Sequence, residues 1–120
     1  MISAVSPISF GQADLRRLWN KGKLPTVKYG FYGDVLTTKN VTREHLLPAS
    51  KGGKRALNNI VLASKEKNGA RGNDDINNYA ENEIVRRYLG QFIDVKLPDF
   101  NGNKYIREII NRLSSLGFNI

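Results

Sequence analysis

The chain contains no cysteine among its 120 residues. Disulfide bonds and thiolate zinc sites are therefore excluded, and the composition suits a reducing cytosol. No apolar run approaches the ~20 residues that a membrane-spanning helix needs, so we expect no membrane partner. Residues 1–7 also lack the basic start and the long apolar block of a secretory signal. These absences together predict a cytoplasmic protein.

Acidic residues are scarce, because 11 of them stand against 19 lysines and arginines, for a net charge of +8. Such an imbalance favours a polyanionic partner, although a solvated cationic surface that serves only solubility is the alternative. The distribution of charge along the chain favours the polyanionic partner over a cationic surface that serves only solubility. Between Arg43 and Asn73 there are seven basic and two acidic residues, so most of the excess lies in this one segment.

The length and the 40% hydrophobic content are those of one globular domain spanning residues 1–120. Turn residues and short apolar runs divide its first two thirds into small elements. From the N-terminus, we predict a short helix over 12–19 after Ser9, short strands within 26–42, and a strand ending at Glu44 and His45. A flexible basic loop follows over 50–55, and then a strand over 59–63. The next element is a helix over 64–70 that Ser64 caps and Gly72 ends.

The last third of the chain has helical spacing of its apolar residues. One amphipathic stripe runs from Ile76 to Phe92, and a second runs from Tyr105 to Leu116, with Gly117 as its stop. The segment 97–102 breaks the pattern between them. Because a small central unit needs helices to cover it, we interpret both stripes as core rather than as binding surface. The predicted fold class is α+β.

The only histidine, His45, directly follows Glu44, and Asn59 and Asn68 lie 14 and 23 residues beyond it. A carboxylate, an imidazole and a carboxamide on a basic surface can bind a hard cation and deprotonate a water beside a phosphate. Each residue also has an ordinary interpretation, since a lone histidine is usually structural and asparagines are common in turns. Their joint occurrence in the charged segment favours a nuclease.

Residues 41–73 closely resemble the HNH endonuclease motif, whose fold is the ββα-metal finger. The run from Thr42 to Pro48 is similar to the first strand of the motif, and Gly52-Gly53 to its glycine turn. Asn59 to Ala63 matches the second strand, and Asn68 with Arg71-Gly72-Asn73 matches the helix. The resemblance covers about a quarter of the chain. It implies a nuclease core over about 34–73, with a helical C-terminal part over about 74–120.

The resemblance implies a role for each motif residue. His45 would be the general base, which suits imidazole because its pKa lies near neutrality. Asn59 would support catalysis by holding the loop that presents His45. Glu44 and Asn68 would bind one divalent cation, Mg²⁺ or another such as Mn²⁺, because hard cations prefer oxygen ligands.

The implied substrate is DNA, and the implied reaction is cleavage or nicking of its phosphodiester bonds. A single finger has one active site, so a double-strand cut requires a homodimer or two successive nicks. The setting would be a bacterial cell or a phage-infected host, with membership of a larger phage or bacterial assembly also open. Candidate nucleic-acid-binding residues are Arg43, Lys51, Lys54, Arg55, Lys65, Lys67 and Arg71.

The chain departs from the family pattern at two points. Glu44 stands where the family usually has aspartate, so the carboxylate is kept on a longer stem. Many members also bind a structural zinc with two Cys-x-x-Cys pairs, and the second pair would fall at Ser64 and Lys67. We therefore expect no structural zinc and a finger held by apolar packing, with Phe31, Tyr32, Val35 and the C-terminal helices as candidates.

Two alternatives to an enzyme remain open. The first is a catalytically silent nucleic-acid-binding module that keeps an HNH-like finger. The second is a phage interaction protein, whose sign would be an exposed apolar face on residues 76–92 or 104–116.

Overall fold

The computed structural model describes residues 14–120. Helices and short antiparallel strands alternate along them, which confirms the α+β class. The elements are α1 Leu15–Asn20, β1 Val41–His45, β2 Ile60–Ser64, α2 Lys65–Arg71, α3 Asn82–Gly90, β3 Lys96–Leu97, β4 Phe100–Asn101 and α4 Gly102–Ser115, with 3₁₀ turns at Ala49–Lys51 and Ile76–Asn78.

The centre of the fold is a ββα unit made of β1, β2 and α2. The strands are antiparallel, with Glu44 opposite Val61 and His45 opposite Ile60. Helix α2 begins directly after β2, because the Ser64 hydroxyl accepts the Lys67 N–H at 3.2 Å and caps the first turn. With no loop between strand and helix, α2 must turn back along the sheet, where it contacts both strands.

The N-terminal helix agrees with the prediction within the described residues. Asp14 is its N-cap and accepts the N–H groups of Arg16 and Arg17 at 2.9 and 3.3 Å. The predicted start after Ser9 lies outside the described residues. Segment 26–42 contains less strand than expected, since only Tyr29 and Val35 form a β-bridge before β1 begins.

The C-terminal third departs from the prediction at its start and at its break. Helix α3 begins at Asn82 rather than near Ile76, because Asp75 caps a separate 3₁₀ turn through the Asn77 N–H. The break contains a small hairpin, β3–β4, that the sequence analysis did not predict. Helix α4 ends at Ser115, two residues before the predicted stop Gly117, whose positive φ of 87° favours glycine.

Aromatic side chains join the C-terminal helices to β2. The Tyr105 hydroxyl donates to the carbonyl of Ile60 at 2.7 Å, and the Leu62 N–H donates to the Tyr88 hydroxyl at 3.0 Å. The two hydroxyls are 3.0 Å apart and both rings are buried. Two of the backbone groups of β2 that point away from β1 are thereby paired, which protects part of an otherwise open strand edge.

The predicted apolar support of the finger is correct for two of its three named residues. Phe31 is fully buried and packs edge-on against Tyr32 and Tyr88. Tyr32 is half-buried. Val35 is 61% exposed, so its assignment to the packing was wrong. Val35 forms the isolated bridge with Tyr29, and its side chain faces solvent.

Removing the Tyr105 hydroxyl should destabilise the fold. Tyr105→Phe leaves the buried carbonyl of Ile60 without its donor, which costs about 1–3 kcal/mol of unfolding free energy. Tyr29→Phe is the matched control, because its ring is 54% exposed and the change should stay within about 0.5 kcal/mol. Urea denaturation followed by circular dichroism measures both, and equal midpoints for the two variants would show that the Tyr105 hydroxyl contributes nothing.

Candidate active site

Glu44 and His45 are the last two residues of β1, so their side chains leave opposite faces of the strand. Glu44 is on the same face as Thr42, two residues before it. This face is covered by α2, and Glu44 is accordingly buried, with 3% exposure. His45 is half-buried. The end of the strand therefore offers one protected carboxylate and one accessible imidazole.

Asn68 lies on α2 and is bound to β1. Its Nδ2 donates to the Thr42 hydroxyl at 3.0 Å and to the Arg43 carbonyl at 3.1 Å. These bonds use both hydrogens of the carboxamide. Its Oδ1 accepts no hydrogen bond from residues 14–120, so this oxygen remains available to a ligand. Asn68 thus brings a fixed carboxamide oxygen to the strand that carries Glu44.

Two groups hold the carboxylate of Glu44 by the same oxygen. The Tyr32 hydroxyl donates to Oε2 at 2.6 Å, and Nη1 of Arg71 is 3.4 Å from Oε2. Burial raises the pKa of Glu44, whereas Tyr32, Arg71 and the His45 backbone N–H favour the charged carboxylate. Burial and the negative charge of Glu44 raise the pKa of Tyr32, so its hydroxyl stays protonated and donates.

Arg71 is placed differently from the prediction that it contacts phosphate. Its side chain is only 1% exposed. The guanidinium donates to three carbonyls, those of Asp74 at 2.7 Å, His45 at 2.5 Å and Leu46 at 2.8 Å. Because these bonds hold it in the interior, Arg71 is a structural residue that ties α2 to the end of β1. Its assignment to the nucleic-acid-binding surface was wrong.

Asn59 closes the loop that connects β1 to β2. Its Oδ1 accepts the Leu47 N–H at 2.9 Å, and its Nδ2 donates to the carbonyls of Leu47 and Lys54 at 3.1 and 3.0 Å. Gly53 is required in this loop, since a Cβ there would lie 1.7 Å from the Leu47 carbonyl oxygen. These contacts agree with the loop-holding role expected of Asn59. Its contribution to catalysis stays a prediction.

The imidazole of His45 lies among positive charges. Burial lowers its pKa below the ordinary value of 6.5, and the charges of Arg55, Arg43 and Arg71 lower it further. The neutral form is therefore the main one at pH 7, and the neutral form is the one that can accept a proton. The arrangement gives the side chain the protonation state of a base.

The remaining predicted DNA-binding residues lie at the surface. Arg43 is the most constrained, because it forms an ion pair with Asp14 and its side chain is 28% exposed. The other five are exposed cations whose side chains make no hydrogen bond to residues 14–120: Lys51, Lys54, Arg55, Lys65 and Lys67. Six of the seven predicted residues therefore lie at the surface, and their contact with nucleic acid stays a prediction.

The donors for a divalent cation are few but compatible with one. No three histidine, aspartate or glutamate side chains in residues 14–120 converge to form a metal site. The predicted pair is smaller, one carboxylate and one carboxamide oxygen on facing elements, and Mg²⁺ accepts such pairs because it keeps several waters. The bond from Tyr32 orients the Glu44 carboxylate, and the two bonds that Asn68 makes to β1 orient its own oxygen. Arg71 opposes the fit, since its positive charge already faces the Glu44 carboxylate.

Tyr32 was predicted only as a packing residue, and its bond to Glu44 was not predicted. It lies 12 positions before Glu44 and outside the motif. No spacing rule connects a loop tyrosine to a strand carboxylate, so no signal in the single sequence could have identified the bond.

In the comparisons with known proteins, no family model, no curated protein and no solved structure matches this chain. None of the helices in the described part of the chain has the length and apolar character needed to cross a bilayer.

Replacing Arg71 should affect folding before it affects DNA binding. Arg71→Ala leaves three carbonyls without donors and Glu44 buried beside no cation, so we expect a loss of about 3–5 kcal/mol of unfolding free energy. Lys67→Ala removes the same charge from an exposed position of α2 and should change stability by at most about 0.5 kcal/mol. Equal urea midpoints for the two variants would contradict the structural role of Arg71.

Proposed function

We propose that this chain is a metal-dependent DNA endonuclease or nickase that hydrolyses phosphodiester bonds. One observation carries the proposal. The Asn68 carboxamide is bonded across from α2 to β1, the strand whose last two residues are Glu44 and His45. The carboxamide and the carboxylate therefore lie on facing elements, and a neutral base directly follows the carboxylate in the strand, beside exposed cations. Hydrolysis of a polyanion needs this combination.

In this mechanism His45 is the general base. Its neutral imidazole accepts a proton from the attacking water and then releases it to solvent, which half-burial permits. Asn59 fixes Leu47, two residues beyond His45, so the backbone that carries the imidazole cannot shift. The neighbouring arginines keep the imidazole unprotonated between turnovers.

Glu44 and Asn68 would hold one divalent cation, Mg²⁺ or Mn²⁺. Such an ion, when bound, supplies charge neutralisation at the phosphate and stabilises the leaving 3′ oxygen. Tyr32 orients the carboxylate through Oε2 and leaves Oε1 free of that bond. The two bonds from Nδ2 orient the Asn68 oxygen in the same way.

The exposed lysines and arginines support DNA as the substrate, because backbone phosphates are bound chiefly by such cations. The five exposed members of this surface lie on the β1–β2 loop and on α2. One site per chain makes nicking the simplest reaction, with a homodimer needed for a concerted double-strand cut. The place of action would be the cytoplasm of a bacterial or phage-infected cell, where such DNA is found.

Two other functions are each favoured by one specific observation. The Arg71–Glu44 contact already supplies a cation to the carboxylate, which favours a DNA-binding module without catalysis. An apolar groove of about 330 Å³ between α3 and α4, where Ile93 is 61% exposed, favours a protein-interaction module. The endonuclease proposal accounts for more of the site, since neither alternative needs a neutral His45 or a fixed Asn68 oxygen.

Nicking of supercoiled plasmid tests the assigned roles. With Mg²⁺, His45→Ala should lower the rate by about 100-fold or more, because the general base is lost. Glu44→Gln and Asn68→Ala should weaken the Mg²⁺-dependent reaction while plasmid retention stays near wild type, since neither residue supplies positive charge. Asn78→Ala, an exposed asparagine outside the motif, is the control. Identical rates for wild type and His45→Ala would exclude the enzyme.

The pH dependence of nicking should report His45. Activity requires the unprotonated imidazole, so the rate falls as the pH drops through a pKa below 6.5. Arg55→Gln removes the largest of the charges that lower this pKa, so its acidic limb should move to higher pH. Lys65→Gln makes the same charge change away from the imidazole and should leave the limb in place. Equal profiles for all three proteins would assign the limb to another group.

A further inference from the structure

A second concave surface lies between the turn at residues 29–35 and helix α3. This groove has a volume of about 440 Å³, and we call it the Tyr29 groove. The residues that matter for its chemistry are Lys28, Tyr29, Gly33, Ile84, Arg87 and Gln91. None of them belongs to the candidate active site, and none is a motif residue. Its size lies within the range of small-ligand pockets.

The backbone that presents Tyr29 is held rigidly by one side chain. Oε1 of Gln91 accepts the N–H groups of Lys28 and Tyr29 at 2.8 and 3.0 Å, and its Nε2 donates to the Tyr29 carbonyl at 2.9 Å. Nε2 also donates to the Tyr88 carbonyl at 3.1 Å. Both polar atoms of the Gln91 side chain are therefore used to hold the backbone of residues 28 and 29. The wall of the groove is preformed before any ligand binds.

The ring of Tyr29 is 54% exposed and makes no ring contact with another aromatic residue in the described part of the chain. On the opposite side, Ile84 lies against Gly33, whose φ of 87° favours glycine and where an added Cβ would come 3.2 Å from Cγ2 of Ile84. A flat apolar surface of this kind, open to solvent on one face, can stack a planar ring.

The charges around the groove are of one sign. Lys28 and Arg87 are exposed cations that line it, and among residues 14–120 no aspartate or glutamate does. A cation pair beside an exposed aromatic ring suits a ligand that combines a planar base with a phosphate. An apolar peptide would use the ring but would gain nothing from the two cations, so the charge complementarity favours a nucleotide.

We propose that the Tyr29 groove binds an unpaired nucleotide of the DNA substrate. The base stacks on the ring of Tyr29, and Lys28 and Arg87 contact the adjoining phosphates. The inference rests on the proposed function for its choice of DNA. The turn that follows Tyr29 also connects the Tyr29 groove to the candidate active site. The Gly33 N–H donates to the Gly30 carbonyl at 2.9 Å, so Tyr29 and Tyr32 leave the same tight turn, and Tyr32 binds Glu44.

The test is binding of a fluorescein-labelled oligothymidylate of about 12 nucleotides, followed by anisotropy in EDTA so that no cleavage occurs. Tyr29→Ala should weaken binding about five-fold or more, whereas Tyr29→Phe keeps the ring and should bind like wild type. Circular dichroism verifies folding, which the Gln91 bonds favour because they involve only the backbone of residue 29.

The charge requirement is tested by a matched pair on α3. Arg87→Gln should reduce the dependence of log Kd on log salt by about 0.7, the value for one lost single-strand phosphate contact. Arg86→Gln makes the same change at the next residue, which lines the apolar groove on the other side of the helix, and should leave the slope unchanged. Equal slopes for the two variants would contradict a phosphate contact at Arg87.

The outcomes separate this inference from the endonuclease proposal. If wild type nicks plasmid and binds the oligonucleotide but Tyr29→Ala binds equally well, the groove proposal is overturned and the enzyme stands. If Tyr29→Ala weakens binding while wild type nicks nothing with Mg²⁺, the groove stands and the enzyme falls. Absence of any DNA binding by wild type overturns both.

Discussion

A buried guanidinium joins strand to helix at the point where the candidate catalytic side chains meet. Arg71 reaches from the end of α2 to the carbonyls of His45 and Leu46 and faces the Glu44 carboxylate. Without it, those acceptors would be buried unpaired, at a cost of several kcal/mol. The position of β1 relative to α2, and therefore the placement of Glu44 relative to Asn68, depends on this side chain together with the two bonds that Asn68 makes to β1.

The same contact sets the electrostatics of the site. Glu44 is buried, so its charge is tolerable only because Tyr32 and Arg71 oppose its desolvation. His45, on the other face of the strand, lies near the positive charges of Arg55, Arg43 and Arg71 and stays neutral. One strand end thus separates an anionic interior from a cationic exterior.

Local signals made the central unit predictable. Ser64 as a cap, Gly72 as a stop and the apolar run before Ser64 act within a few residues, so β2 and α2 were predicted within one residue of their ends. The β3–β4 hairpin was missed because two-residue strands have no periodicity. The bond from Tyr32 to Glu44 and the burial of Arg71 depend on packing between distant segments. A single sequence carries no such information, and an arginine in a basic stretch is indistinguishable from a surface arginine.

The hydroxyl of Tyr105 binds a strand 45 residues earlier in the chain. During synthesis, the ββα unit leaves the ribosome first, with the outer carbonyl of Ile60 still hydrated. The donor to this carbonyl becomes available only when α4, which carries Tyr105, has been made. In that interval the unpaired carbonyl is exposed at the strand edge, where another nascent chain can pair with it.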